Sequence, residues 1–270
     1  MANLRISIIQ TMLHWEDKKA NLEMLERKIE GIPDKPELIV LPEMFSTGFS
    51  MNKESLAETM DDQTVSWLRK LSAKKGAIIT GSIIAKDVVK GETKFYNRMI
   101  WMLPNGEFAF YDKRHLFAYG TEDQHFSAGN KRLIACVNGW KINLQICYDL
   151  RFPVWLRQSE KEKPILAPEY DLLIISANWP LARSLAWRTL LQARAIENQC
   201  YVIGVNRTGK DGKGLEYGGE SMVLGPAGEQ IKLMGAAEEI FSHTLNREKL
   251  DSFRIQLPFW RDADTFFIQP

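Results

Sequence analysis

Cysteine is scarce in this chain of 270 residues: Cys136, Cys147 and Cys200 are an odd set without the spacing of a disulfide scaffold. That excludes a small stapled secreted fold and favours a reducing compartment, so a cytoplasmic protein is expected. Charge of one sign is missing as well. The formal net charge is +1 with no polybasic block, which leaves nucleic acid and anionic membranes without an electrostatic footprint. No apolar run approaches the ~20 residues of a membrane span. The first residues, M-A-N-L-R-I-S-I-I-Q, enter a strand pattern with no secretory h-region. Short-period repeats and low-complexity stretches are absent. The Gly-rich segment 208–219 (T-G-K-D-G-K-G-L-E-Y-G-G) is expected as a loop and carries no phosphate-binding signature.

What remains is the composition of an ordinary globular enzyme, 45% hydrophobic and 26% charged. The length allows one large α/β domain, or two small ones, with a substantial core. Residues 4–10 read as a first strand, 18–29 as an amphipathic helix with Leu22, Leu25 and Ile29 on one side, and 37–41 as a strand buried on both faces. Residues 63–74 carry Val65, Leu68 and Leu71 at helical spacing, and 77–85 are strand-like again. Asn105-Gly106 and Asn138-Gly139 mark hairpins that join 98–103 to 107–111 and 132–137 to 140–147. A third hairpin pairs 221–224 with 230–234. Residues 171–177 and 201–206 are buried strands around the longest helix candidate, 183–198, with Leu190, Ala193 and Glu197 near one face; a strand over 239–244 and a helix over 246–253 follow.

Residues 112–131 form a long irregular stretch of the kind that usually carries function. Residues 160–168 are expected as a surface linker or insertion, and the aromatic tail 255–270 as a packing segment. Because hairpins interrupt the alternation of strands and helices, neither a plain Rossmann domain nor an eight-fold barrel fits. A mixed sheet, or two sheets face to face with helices outside, does.

The stretch 140–153, W-K-I-N-L-Q-I-C-Y-D-L-R-F-P, organises the rest. Ile142, Leu144 and Ile146 alternate with Asn143, Gln145 and Cys147, as a strand requires. Pro153 then suits the first position of a helix. A thiol at the end of a strand, before a helix, stands where α/β proteins place chemistry; free cysteine is equally at home as inert core. A nucleophilic thiol needs a base or a cation. His115 and His125, in the irregular stretch, are candidates, whereas His14 and His243 suit surface or satisfied core positions. Glu43 and Lys113 each follow a predicted strand, as Cys147 does, so the three can converge at one sheet edge. By type alone Glu43 also suits a capping or ion-pair role, and Lys113 a solvated surface.

At these three places the chain resembles the nitrilase superfamily of carbon–nitrogen hydrolases, in L-P-E-M-F around Glu43, Y-D-K-R-H-L-F around Lys113 and I-C-Y-D-L-R-F-P around Cys147. The resemblance runs from Leu4 to about Trp260 and implies one carbon–nitrogen hydrolase domain over 1–270. The implied fold is α/β, an αββα sandwich of two mixed sheets with outer helices that forms a homodimer or higher homo-oligomer through its helical faces. A second glutamate assists the lysine in this family, and Glu122 matches it; by type alone Glu122 is also compatible with an exposed loop. Y-D-L-R-F-P, N-W-P at 178–180 and R-A-I-E-N-Q at 194–199 make the chain most similar to the omega-amidase branch, which releases ammonia from terminal amides such as 2-oxoglutaramate.

The chemistry this resemblance implies needs no metal or organic cofactor, only a small amide substrate. Cys147 attacks the amide carbonyl and forms a thioester, Glu43 moves the protons, Glu122 orients Lys113, and Lys113 with the Tyr148 backbone N–H holds the oxyanion. A substrate carboxylate calls for arginine. Arg183 is the first candidate and Arg151 the second, with structural ion pairs as the alternative for both. Trp179 and Phe117 are expected as pocket walls or as plain core.

Overall fold

The computed structural model describes residues 2–264 except 34 and 159–167, together with 266 and 268. Most of the stretch expected as a surface linker, 160–167, therefore lies outside the described residues. The chain begins with β1 (Leu4–Gln10), then α1 (Lys18–Glu30), whose N-terminus is capped by Asp17 accepting from the Ala20 N–H at 3.0 Å. Next come β2 (Leu38–Val40), α2 (Lys53–Leu56), α3 (Gln63–Lys75), β3 (Ile78–Val89), β4 (Glu92–Met102) and β5 (Phe108–Asp112). After α4 (Glu122–His125) follow β6 (Ile134–Val137), β7 (Trp140–Ile146), α5 (Pro153–Leu156), β8 (Leu172–Ala177), α6 (Ser184–Asn198) and β9 (Tyr201–Asn206). The remainder is β10 (Thr208–Lys210), β11 (Glu216–Gly218), β12 (Met222–Leu224), β13 (Gln230–Leu233), β14 (Glu239–Leu245) and α7 (Arg247–Gln256).

Two six-stranded sheets result, ordered β14-β1-β2-β3-β4-β5 and β13-β12-β9-β8-β7-β6. A parallel trio, β1-β2-β3 in one and β7-β8-β9 in the other, is flanked by antiparallel strands in each. Ile6, Ile8, Leu38 and Val40 of the first sheet share one core with Ile142, Leu144, Leu172 and Ile174 of the second. On its other face the first sheet packs Ile39, Leu41 and Ile79 against Leu22, Leu25, Val65 and Leu68 of α1 and α3. Trp187, Leu191 and Ala195 of α6 cover the second sheet. Each such buried aliphatic side chain contributes about 1.5–3 kcal/mol, and covering both faces explains why β2 (L-I-V) is apolar throughout and β8 (L-L-I-I-S-A) nearly so. The architecture is the αββα sandwich of two mixed sheets.

Four expectations change. β3 and β4 extend through 86–97 and meet at Lys90-Gly91, both at positive φ (53° and 85°); their polar outer halves, K-D-V-V and E-T-K-F, lack the alternation that marks a strand. The segment 208–219 is not a plain loop. β10 and β11 pair within it, and Asp211 Oδ1 accepts the N–H groups of Lys213 (2.8 Å) and Leu215 (3.0 Å) at the turn. The buried stripe of α6 is Trp187, Leu191, Arg194, Ala195 and Asn198, with Leu190, Ala193 and Glu197 half-buried beside it. In the tail, residues 255 and 256 belong to α7, and Phe259–Asp262 form a 3-10 turn that buries Trp260, whose N–H donates to Gln199 Oε1 at 3.0 Å. Residues 265, 267, 269 and 270 lie outside the described set.

Candidate active site

Four strand ends deliver the site. Leu41-Pro42 carries the chain from β2 to Glu43, β5 ends at Asp112 before Lys113, β7 at Ile146 before Cys147, and β8 at Ala177 before Asn178. β2, β7 and β8 belong to the parallel trios, so their carboxyl ends are the expected place for chemistry. Two sharp turns aim the side chains. Cys147 (φ 44°) and Met44 (φ 45°) both occupy the left-handed region, where a non-glycine residue persists only if its surroundings hold it. Asp149 Oδ2 accepts the Ile146 N–H at 3.0 Å, and Ser82 Oγ accepts the Met44 N–H at 2.8 Å. Asp149 is itself fixed by the Tyr111 hydroxyl (2.8 Å), the His115 N–H (3.0 Å) and His115 Nδ1 (2.8 Å). Arg194 of α6 donates to the Leu150 carbonyl at 2.8 Å, so the R-A-I-E-N-Q segment braces the thiol turn from behind.

Lys113, Glu43 and Glu122 meet with no exposed side-chain surface. Lys113 Nζ donates to Glu43 Oε1 at 2.9 Å and to Glu122 Oε1 and Oε2 at 3.1 and 2.9 Å. Glu43 Oε2 accepts the Asn178 N–H at 2.8 Å, and Glu122 Oε2 accepts the Phe117 N–H at 2.7 Å. Asn97 Nδ2 donates to Glu43 Oε1 (2.7 Å) and Glu122 Oε1 (2.9 Å). Cys147 Sγ lies 3.9 Å from the Asn178 carbonyl oxygen. The approach of Lys113 depends on Gly129, whose N–H donates to the Lys113 carbonyl at 2.9 Å and where a Cβ would lie 2.1 Å from the Asp112 oxygen.

Burial and charge oppose each other here. Burial pushes the Cys147 thiol well above its ordinary range; the carboxylate of Glu43 adds to the rise and the ammonium of Lys113 counters it. Burial and the Glu43 carboxylate both favour the protonated thiol, so attack calls for a base. Burial lowers the pKa of Lys113, but Glu122 and Glu43 outweigh it and keep the ammonium charged. Burial raises Glu122, Lys113 lowers it, and Glu43 raises it again, for a net rise.

Cys147 and Lys113 open into a cavity of about 310 Å³ that Tyr148, Phe117, Trp179, Arg151 and Arg183 also line. Every residue expected at the site is therefore in or directly beneath it. Arg151 stacks over Trp179 at 4.9 Å, and Arg183 over Phe117 at 5.3 Å and Tyr119 at 5.8 Å. Among the described residues neither guanidinium has a carboxylate within 4.0 Å, against the ion-pair alternative. No histidine lines the cavity among the described residues. His115 is tied to Asp149 and stacked on Phe152 at 3.7 Å, and His125 is half-buried at the end of α4. Among the described residues, no group of three or more His, Cys, Asp or Glu side chains is arranged to hold a metal.

Sequence reasoning missed Asn97, the Asn178 side chain, and Phe49, Met51, Asp211, Lys213 and Tyr217 on the cavity wall. Asn97 carried no signal, because it lies one residue before the strand expected over 98–103 and only the longer β4 includes it. The wall residues of the β10–β11 hairpin carried none, since only folding brings them over Cys147.

The profile of the carbon-nitrogen hydrolase family matches residues 5–255. Over 267 residues the chain is 42% identical to omega-amidase YafV of Escherichia coli (strain K12), covering 98% of this chain and 99% of that one. It is 32% identical over 260 residues to 2-oxoglutaramate amidase of Bacillus subtilis (strain 168), covering 95% and 96%. Among solved structures, XC1258 of Xanthomonas campestris, a CN-hydrolase superfamily protein with an arsenic adduct in its active site, superposes with a TM-score of 0.94 at 40% identity, over 100% of both chains.

Proposed function

The chain belongs to the carbon–nitrogen hydrolase family, and from that membership we propose that it hydrolyses the terminal amide of small dicarboxylic monoamides such as 2-oxoglutaramate or succinamate, releasing ammonia. The carrying observation is the Cys147 thiol set beside a buried Glu43–Lys113–Glu122 lattice, at a cavity lined by two guanidiniums that have no carboxylate partner among the described residues.

In the proposed cycle Glu43 takes the Cys147 proton as sulfur attacks the amide carbonyl. The tetrahedral oxyanion lies against Lys113 and the Tyr148 backbone N–H, a role worth about 3–4 kcal/mol per donor. Glu43 then returns a proton to the leaving nitrogen, ammonia departs, and the acyl group remains as a Cys147 thioester. Water, deprotonated by Glu43, cleaves the thioester to the dicarboxylic acid and regenerates the thiol. Glu122 keeps Lys113 charged and in place. Arg183, and after it Arg151, receives the distal carboxylate, with Trp179 and Phe117 as walls.

We also propose a single domain over 1–270 whose last residues pack on a neighbouring surface, and a homodimer or higher homo-oligomer. The exposed side chains of Leu185 and Ile196 on α6 and of Ile255 and Phe259 near the end support association through the helical face; sedimentation as a monomer at micromolar concentration refutes it. The three free cysteines, Cys136 exposed and the other two buried, support a cytoplasmic location, which cell fractionation tests.

The test of the activity is ammonia release from 2-oxoglutaramate, succinamate, a nitrile and an N-carbamoyl amino acid. Turnover confined to the last two overturns the substrate assignment.

A further inference from the structure

We propose that Asn97 is a positioning residue of this reaction: its side-chain amide holds the carboxylates of Glu43 and Glu122 in register around Lys113. The inference rests on the reading of Glu43 as the base.

Asn97 lies on β4 with its side chain fully buried. Its backbone carbonyl accepts the Lys113 N–H at 2.9 Å, so the strand already fixes the start of the lysine. The side chain serves the other two members. The two hydrogens of Nδ2 go one to each glutamate, at 2.7 Å to Glu43 Oε1 and 2.9 Å to Glu122 Oε1, the same two oxygens that Lys113 Nζ reaches at 2.9 and 3.1 Å. Lys113 and Asn97 thus form two parallel bridges between one pair of oxygens. The orientation of the amide follows from charge, since a reversed amide sets its carbonyl against two carboxylates.

Two carboxylates against one ammonium leave a formal excess of one negative charge where no side chain meets solvent. Buried negative charge of that kind is costly unless donors meet it. A neutral double donor counters this without adding a charge that would compete with Lys113 for the oxyanion. The opposite end of the amide shows the cost. Asn97 Oδ1 is buried with no hydrogen-bond partner among the described residues, an unfavourable arrangement for a residue present only to fill a strand. Beyond the backbone N–H donors of Asn178 and Phe117, the titratable groups acting on the pair are Cys147, which faces Glu43, and Tyr217, with which Glu43 interacts electrostatically.

Asn97→Ala keeps the backbone bond to Lys113 and removes only the donors. Expected is a kcat lowered roughly 10- to 100-fold, less than the 10²–10⁴ of losing a general base outright, with KM little changed. The acid limb of kcat/KM against pH moves to higher pH, because the ionised pair has lost a donor. Asn97→Asp has the same shape and adds a third acid in place of the donors, so it moves the limb the same way even if the alanine variant does not fold. A lowered kcat with an unmoved limb in a variant whose melting curve shows it folded means packing alone, and overturns the proposal. Wild-type protein that releases no ammonia from omega-amides removes the underlying activity reading instead, a separate outcome.

Discussion

Asn178 grips Glu43 at two points across the sandwich: its backbone N–H donates to Glu43 Oε2 at 2.8 Å and its Nδ2 donates to the Glu43 carbonyl at 2.6 Å. Glu43 follows β2 of one sheet and Asn178 follows β8 of the other, 135 residues later. One asparagine therefore locks the proposed base to the sheet that delivers the thiol. Asn178→Ala keeps the first bond and loses the second. A stability loss of about 1–3 kcal/mol by denaturant titration is expected, with kcat falling more than KM changes. Unchanged stability and turnover count against the lock.

Cys147→Ala abolishes ammonia release, by at least roughly 10⁴-fold, while thermal melting shows a folded protein. Glu43→Gln loses roughly 10²–10⁴-fold at nearly constant volume. His125→Ala leaves turnover near wild type. If it abolishes turnover and Glu43→Gln does not, the base has been misassigned.

Arg183→Gln raises KM for a carboxylate-bearing amide roughly 10- to 100-fold, the equivalent of one charge-assisted contact, and leaves a neutral linear amide unaffected. Arg151→Gln is the control. A larger effect there, with none at Arg183, transfers the carboxylate to Arg151.

Gly129→Ala forces a Cβ to 2.1 Å from the Asp112 oxygen, directly before Lys113. The strand end cannot give way without moving the lysine. Activity is expected to fall even where melting indicates that the sandwich survives, and full activity would show that Lys113 tolerates displacement.

Cys200 is buried, and burial pushes its thiol from the ordinary 9.0 up to about 12. A raised folded-state value means that the folded protein keeps a proton which the unfolded chain has already released. Its contribution is therefore complete below pH 9.0 and is lost as pH rises through about 12, at no more than about 1.4 kcal/mol per unit. Stability of Cys200→Ala, measured across this interval, is expected to fall less steeply than wild type. An equal slope refutes the assignment.

Much of the site was legible because its members sit where local pattern changes abruptly. Glu43 follows an apolar run, Lys113 follows a hairpin strand, and Cys147 follows the alternation of Ile142, Leu144 and Ile146. Each of these is a local event in sequence. Asn97 was not legible in this way, because the expected strand stopped at 98 and its partners lie 54 and 25 residues away. The β10–β11 hairpin was read as a loop because three-residue strands carry too few side chains to show a period.

By itself the chain determined its periodicities, and with them most of the strands, the outer helices and the strand-end positions of the thiol, carboxylate and ammonium, since those follow from neighbours a few residues apart. Tertiary structure alone decided which partners meet. The crossing of two sheets sets Asn178 against Glu43, burial raises the pKa of the thiol, and Arg183 and Arg151 stack on aromatic rings with no carboxylate partner among the described residues. Those outcomes depend on distance and dielectric, which only the packed sandwich creates.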